Sequence, residues 1–244
     1  MSAVAEAFPS RWTDEAAWYA RHGDYAWLAE TLAAALGAAD QRRVVEVGCG
    51  VGESTVVLAR AGFSVCVVEP IAACRDEAAQ RLAAAGAEIA GRVTFIDADV
   101  TALPDAARRQ LEAFDPRAVA CWLAGAPDEV TALPGGRPGE GVARHRETMQ
   151  RGCAELAAAL PGVTVLQVAD RTVMPWAAKD IGRDLTLKVQ QQLVLKDLPF
   201  QLSKADTLFR KLTPTPHEAA TLGKLSGPMR GAIPLLGMAL ARRA

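Results

Sequence analysis

The chain's chemistry-bearing residues cluster around one short stretch. Residues 44–55 read VVEVGCGVGEST, so a run of β-branched residues leads into Gly48, Gly50 and Gly52, with Glu46 set near the end of the run. Ten residues on, VCVVEP ends a second apolar run on Glu69 and Pro70. Glycines spaced by two after a strand let the main chain turn sharply and approach a small molecule closely, and a helix that begins there offers its amides to a ligand. An acid at the strand tip favours a ligand that carries an ammonium group and a cationic centre, because opposite charges attract strongly in a partly desolvated crevice.

The spacing also argues against one common ligand. A dinucleotide fingerprint places glycines at the first, third and sixth positions, where the helix N-terminus meets a pyrophosphate. The sixth position here is Glu53, whose charge opposes a diphosphate. Glu46 is the second departure. A nicotinamide-dependent oxidoreductase therefore stays open only as a less favoured alternative.

With these residues in view, E-V-G-C-G-V-G at 46–52 resembles the first motif of the class I S-adenosylmethionine-dependent methyltransferases. The resemblance extends over about residues 42–170 and implies a cofactor site built from Glu46, Gly48, Cys49, Gly50, Gly52, Glu69, Pro70, Asp99, Val100 and Trp122. Glu69 looks like the acid that holds both ribose hydroxyls, and Pro70 and Ile71 fall where the family stacks an apolar residue on the adenine. Within RVTFIDADVTALP at 92–104, Asp99 resembles the adenine amino-group acceptor, with Asp97 competing for that role. FDPRAVACWLAG at 114–125 is similar to the fourth strand, whose tip, at Trp122 and Leu123, borders cofactor and acceptor. The implied cofactor is S-adenosylmethionine, with S-adenosylhomocysteine as product, and no metal is expected.

The elements needed to hold such residues follow from the hydrophobic pattern. Strands at 43–47, 64–69, 93–97, 117–123 and 163–169 alternate with helices at 53–61, 72–84, about 105–113 and 143–159. That rhythm predicts a Rossmann-like, doubly wound α/β fold, a mostly parallel sheet flanked by helices, with ligands beyond the carboxyl ends of the strands. Residues 13–36 read as helix broken at Gly23, with Asp24 placed to cap the second half and Gly37 to end it. Residues 1–40 are thus expected to form a helical lid segment on a catalytic domain over 41–244. LTLKVQQQLVLKD at 185–197 alternates and reads as a sixth strand. ADTLFRKLTP is a weak candidate for the family's seventh, and GAIPLLGMALA at 231–241 reads as a helix packed on the domain or on a second subunit.

Candidate acceptor-side residues come from three places. Five of the seven Trp and Tyr residues, Trp12, Trp18, Tyr19, Tyr25 and Trp27, precede the first strand. They either pack that segment onto the sheet or bind a flat acceptor, and Tyr19, His22 and Tyr25 are the polar members able to reach one. A hydroxyl acceptor would gain from a general base, and His is tuned for that near neutral pH. His145 and His22 are the favoured candidates, with His217, Asp128, Glu129 and Asp170 behind them. A base is not obligatory, since positioning alone suffices for a reactive acceptor. Gly- and Pro-rich residues 125–142 read as a loop at the mouth of the site.

Composition narrows the function classes. Net charge is −1 and half the residues are hydrophobic, so a compact enzyme domain fits, and the basic excess usual for gripping nucleic acid is missing. Motifs of base-directed amino and carbon methylation, and the Asp-Asn pair of metal-dependent catechol-type members, are absent around the fourth and fifth strands. Five cysteines without metal-type spacing are read as reduced, and the N-terminus lacks an apolar signal core. The expectation is a cytoplasmic enzyme, free of membranes and with a homodimer left open, that methylates an O or N atom of a small molecule. Another reaction of the same sulfonium cofactor, or a non-catalytic cofactor-binding or partner subunit, stands as the remaining alternative.

Overall fold

A computed structural model describes residues 13–125, 131 and 140–244. Two helices come first, α1 over 13–21 and α2 over Asp24–Leu36. Gly23 breaks them by adopting φ 73°, and Gly37 ends α2 by donating its amide to Ala33 O. Asp24 does not cap α2 with its side chain. It is buried and pairs instead with Arg210, at 2.9 Å.

The alternating part follows as β1 Arg43–Val47, α3 Glu53–Arg60, β2 Ser64–Val68, α4 Ala72–Ala85, the short α5 Ala87–Ala90 and β3 Val93–Ile96. After these come α6 Asp105–Phe114, β4 Ala118–Trp122, α7 Glu140–Ala159 and β5 Val165–Pro175. Each central strand buries both faces, which is why these runs are continuously apolar rather than alternating. Successive residues feed opposite cores. Val45, Val47, Cys66, Val68, Val119 and Cys121 face α6 and α7, while Val44, Val65, Val67, Ala118 and Ala120 join Leu28, Leu32 and Leu58 of α2 and α3.

The strand order is β3-β2-β1-β4-β5-β8, with the short β6 Phe200–Gln201 and β7 Thr207–Lys211 both pairing the far edge of β8 Ala232–Arg243. Strands β1 to β5 run parallel, and β8 is antiparallel to β5 along all of β5, Val165–Pro175. The chain reverses its direction of winding between β1 and β4, and a crevice opens there.

Two expectations fail in the C-terminal third. Residues 185–197 form helix rather than strand: α8 spans Lys179–Val189 and continues as a π-helical turn through Gln190–Val194. The Val/Leu spacing there fits both periods, and packing decides. Gly182 meets Met174 and Phe209 of the sheet, and Gln190 and Val194 are buried. Conversely, 231–241 is the long strand β8 and not a helix. Pro234 and Gly237 both disfavour a helix there, and a Cβ on Gly237 would lie 2.4 Å from the Phe209 ring, so the glycine marks a close approach across the sheet. The weak seventh-strand candidate does form β7, and α9 Pro216–Leu222 follows it with a capping box from Thr215 and Glu218.

Gly52 joins α3 to α4. It sits at φ 87°, and a Cβ there would come within 2.7 Å of both Cα and Cβ of Ala78. Gly52→Ala is expected to lower unfolding free energy by about 2–3 kcal/mol through overpacking and backbone strain, read as a lower urea midpoint. An unchanged midpoint would contradict this contact.

Candidate functional site

The tips of β1, β2, β4 and β5 open into a cavity of about 710 Å³. From the glycine loop, Gly48, Cys49, Gly50 and Val51 line it, followed by Glu53 and Ser54 of α3. Gly50 has φ 51°, and no atom lies within 4 Å of where a Cβ would stand, so bare main chain borders open space at this point. Gly52 is absent from the lining because its role is the α3–α4 contact.

Glu69, at the end of β2, turns its carboxylate back toward the loop. Ile71 N donates to Glu69 Oε1 at 2.9 Å, and burial raises the carboxyl pKa against the pull of the amides of Ile71 and Gly50 and of Arg75. Pro70, Ile71 and Val100 complete this wall. The two aspartates after β3 divide cleanly. Asp99 lines the cavity and accepts from Thr101 N and Oγ1 through one oxygen, at 2.8 Å each. Asp97 points outward with 71% of its side chain exposed and pairs with Arg75 at 2.8 Å.

At the end of β4, Trp122 lines the cavity, and its Nε1 donates to Gln167 Oε1 at 2.9 Å. Gln167 is fully buried and anchors that ring to α2 by donating to Leu28 O at 3.1 Å. Leu123, next in line, holds φ 53°, an uncommon strain for a branched residue that sits on the cavity wall. The chain meets the acceptor side with two helices. Glu15, Ala16 and Tyr19 come from α1, and Val142, His145, Arg146 and Met149 from α7, with Asp170 and Arg171 of β5 below them.

Tyr19 and Tyr25 both line the cavity, edge to face at 6.0 Å between centroids, and Tyr19 donates to Glu15 Oε1 at 2.6 Å. Burial holds both hydroxyls far above the usual phenol range, so they are neutral donors. His145 is pushed down by burial, with the nearby charge of Asp99 acting the other way, and is therefore neutral near pH 7. Asp170 is ion-paired with Arg146, accepts Arg171 N at 2.7 Å, and is nonetheless raised to about 6 by burial.

Two expected site residues lie elsewhere. His22 stacks on Trp18 at 4.4 Å, its Nδ1 lies 2.8 Å from Trp18 O, and it does not line the cavity, so it is badly placed to act as a base. The turn at Gly23 directs it toward β7, where Arg210 binds its carbonyl. Glu46 is fully buried behind the loop instead of facing the cavity. Its two oxygens accept from Ser54 Oγ at 2.5 Å and Thr55 Oγ1 at 2.7 Å. Glu53 does line the cavity, but Arg81 neutralises it at 2.5 Å, so its repulsion of a diphosphate is weaker than its position alone implies. Trp12, Asp128, Glu129 and most of the mouth loop lie outside the described residues, as does the side chain of His217.

Several lining residues carried no signal of their own in the sequence. Val142 and Met149 stand three and four residues from His145, and Arg146 stands four and three from those two, so the helical period would have put them on one face once the helix was fixed. Arg171, Glu15 and Gln167 depend on contacts between distant segments and could not have been found this way.

Residues 44–122, β1 through β4, match the family described as "Methyltransferase domain". Over that third of the chain, the stretch that carries the glycine loop and three of the strand tips around the cavity, the likeness is to a methyltransferase domain. No curated protein sequence matches the chain. Among solved structures, a proposed RNA methyltransferase from Pyrococcus horikoshii aligns with 88% of this chain and 81% of its own, at 14% identity and TM-score 0.52. Magnesium protoporphyrin IX methyltransferase from Synechocystis PCC 6803, solved with bound S-adenosylhomocysteine, aligns with 92% and 84% respectively, at 16% identity and TM-score 0.51. At such identities these relatives share the fold.

Behind the loop, Glu46 gives a pH signature. Burial raises it to about 7 from its ordinary 4.5, against the two hydroxyl bonds and assisted by the charge of Glu69. The folded state thus binds this proton more tightly than the unfolded chain. Its contribution to stability is present below pH 4.5 and is lost as pH rises through about 7, on the order of 3 kcal/mol. Glu46→Gln is expected to be more stable than the parent at pH 8 and to show a flatter stability profile between pH 5 and 8. Parallel profiles by urea unfolding would contradict that.

Proposed function

We propose that this S-adenosylmethionine-dependent methyltransferase moves a methyl group to an oxygen or nitrogen atom of a small-molecule acceptor in a biosynthetic step. One observation carries the reading: a single cavity of small-ligand size runs from the bare loop at Gly50 to a second wall formed by α1 and α7. When bound, the cofactor supplies a methyl group already activated on a sulfonium.

The chain's residues divide the work of binding. Glu69 would hold the ribose hydroxyls, Asp99 the adenine amino group through its free oxygen, and Pro70, Ile71 and Val100 the adenine faces. Gly48, Cys49 and Gly50 would pass along the amino-acid end, with Ser54 presenting the field of Glu46 through its hydroxyl. Of the carboxylates that line the cavity, Glu53 is neutralised by Arg81 and Asp170 by Arg146, and Arg171 is paired with Glu218, so Glu15, Glu69 and Asp99 set the sign of the field and favour a cationic ligand.

On the acceptor side, α1 covers the opening while α2, with Leu28 and Leu32 fully buried, fixes it to the sheet. In this reading residues 13–36 would serve as a cover attached to the catalytic domain. Tyr19, Tyr25 and Trp122 supply flat walls, water is kept out by Met149 and Val142, and neutral His145 is the group placed to take a proton from the acceptor. Asp170 orients Arg146 rather than acting as the base. The near-neutral net charge favours small acceptors over polynucleotides, and five buried free cysteines suit a reducing cytoplasm.

The test is a panel of hydroxyl and amine acceptors incubated with S-adenosylmethionine, scored by S-adenosylhomocysteine formed. Acceptor-dependent turnover is expected, with His145→Gln lowering it about 100-fold at unchanged cofactor affinity. Turnover by a polynucleotide alone would reject the acceptor class, and full activity in His145→Gln would reject the base.

A further inference from the structure

Helix α8 and its π-helical extension carry an apolar ridge that the rest of the described chain leaves in solvent. Ile181, Leu185, Val189 and Leu193 stand four residues apart, 65%, 59%, 42% and 49% exposed. The opposite side of the same segment is the packed one, where Gly182, Gln190 and Val194 are buried, and Gln190 Nε2 donates to Gln150 Oε1 at 2.7 Å. Among the described residues the ridge is therefore an additional face with no packing partner. Four large apolar residues in one row are the kind of surface that marks an interaction site.

We propose that this ridge is a homodimer interface, on which a second copy of the chain lays its own α8 antiparallel about a two-fold axis. Rows spaced by four residues pack into the grooves beside an identical row, so the surface is complementary to itself. An axis at the level of residue 187 centres the ridge and sets Ile181 near the partner's Leu193 and Leu185 near the partner's Val189.

Charge selects this arrangement. Asp184 and Lys188 are both exposed and flank the ridge on one side. The two-fold brings the same flank of both helices together, which leaves Asp184 about two residue rises, ~3 Å along the axis, from the partner's Lys188, and forms that pair twice. A parallel two-fold would instead carry the two flanks to opposite sides of the contact, where neither Asp184 nor Lys188 meets its counterpart. Lys188 has no carboxylate at salt-bridge distance among the described residues, and Asp184 meets Lys204 at 2.7 Å with both side chains about half exposed. An anionic membrane surface fits less well, because Asp180 and Asp184 lie beside the ridge where it would seek basic residues.

One helix pair buries less than a standard stable interface, so a reversible dimer is expected at micromolar concentrations. Sedimentation velocity of the full chain should show a rise from 25.8 kDa toward twice that mass with concentration. Leu185→Asp should raise the dissociation constant at least 10-fold with an unchanged melting temperature, since the position is exposed. Asp184→Lys and Lys188→Asp should each weaken the dimer, and the two combined should restore it. A monomer at every concentration, or a dimer indifferent to Leu185→Asp, would overturn the proposal. So would failure of the combined swap to restore association, or a monomer that floats with phosphatidylserine vesicles through Leu185.

Discussion

Glu69→Ala is expected to weaken binding of S-adenosylhomocysteine by about 1.5–3 kcal/mol, roughly 10- to 150-fold in Kd. The carboxylate is held in place before any ligand arrives: Ile71 N fixes one oxygen, and the amides of the glycine loop lie nearby. Its cost is already met in the fold, because burial raises its pKa and the charge is kept in a nearly closed position. Removing it deletes a paired acceptor for two hydroxyls and frees one buried amide. The unliganded protein should melt within a few degrees of the parent, since relief from burying an acid offsets the orphaned amide. Glu69→Gln, which keeps one acceptor oxygen, should fall between. Calorimetry that shows equal affinity in all three proteins would remove Glu69 from the site.

The second large effect belongs to Gly50. A valine there would project its branches into the cavity from a position where nothing stands within 4 Å, and it would have to hold φ 51°. The strain costs of order 1–3 kcal/mol of stability, while the side chain fills the space against which the ligand must lie. Binding should be lost to beyond 100-fold while the protein still unfolds cooperatively. Gly52→Ala is the mirror case, since its Cβ strikes Ala78 and not the cavity, so it should lose stability with much less loss of affinity. If the two variants exchange these phenotypes, the loop faces the other way.

The contrast explains what could be read from residues alone. Strand β1, the glycine turn and the acid at the end of β2 are local: twelve successive residues and one more run determine them, and the structure keeps their order and nearly their ends. Asp99 could not be separated from Asp97 in the sequence, because both sit at the same strand tip, and only the turn at Thr101 and the pull of Arg75 set their directions. Glu46 was legible as an acid at a strand tip, set to face a cationic ligand, but not as the buried partner of Ser54 and Thr55, since a helix turn had to return those hydroxyls to it.

The C-terminal third fails for a related reason. In 185–197, Leu and Val satisfy both a period of two and a period near four, and the decision lies with Met174 and Phe209, which accept Gly182 against them. In 231–241, Ala, Leu and Met favour helix intrinsically, yet the open edge of β5 offers eleven paired positions. Tertiary demand overrides local preference in both. His22 is a smaller case, in which one left-handed glycine turns a polar side chain away from the cavity its neighbours Tyr19 and Tyr25 line.

The proposed function requires an adenosyl amino acid to lie against the bare main chain at Gly50 with its sugar on Glu69. A crystal structure of the protein soaked with S-adenosylhomocysteine tests it most directly. The expected density places the ribose within hydrogen-bond distance of Glu69 and the adenine between Ile71 and Asp99. Density for the nucleoside anywhere else, or a cavity that takes up NADH and refuses S-adenosylhomocysteine, would contradict it.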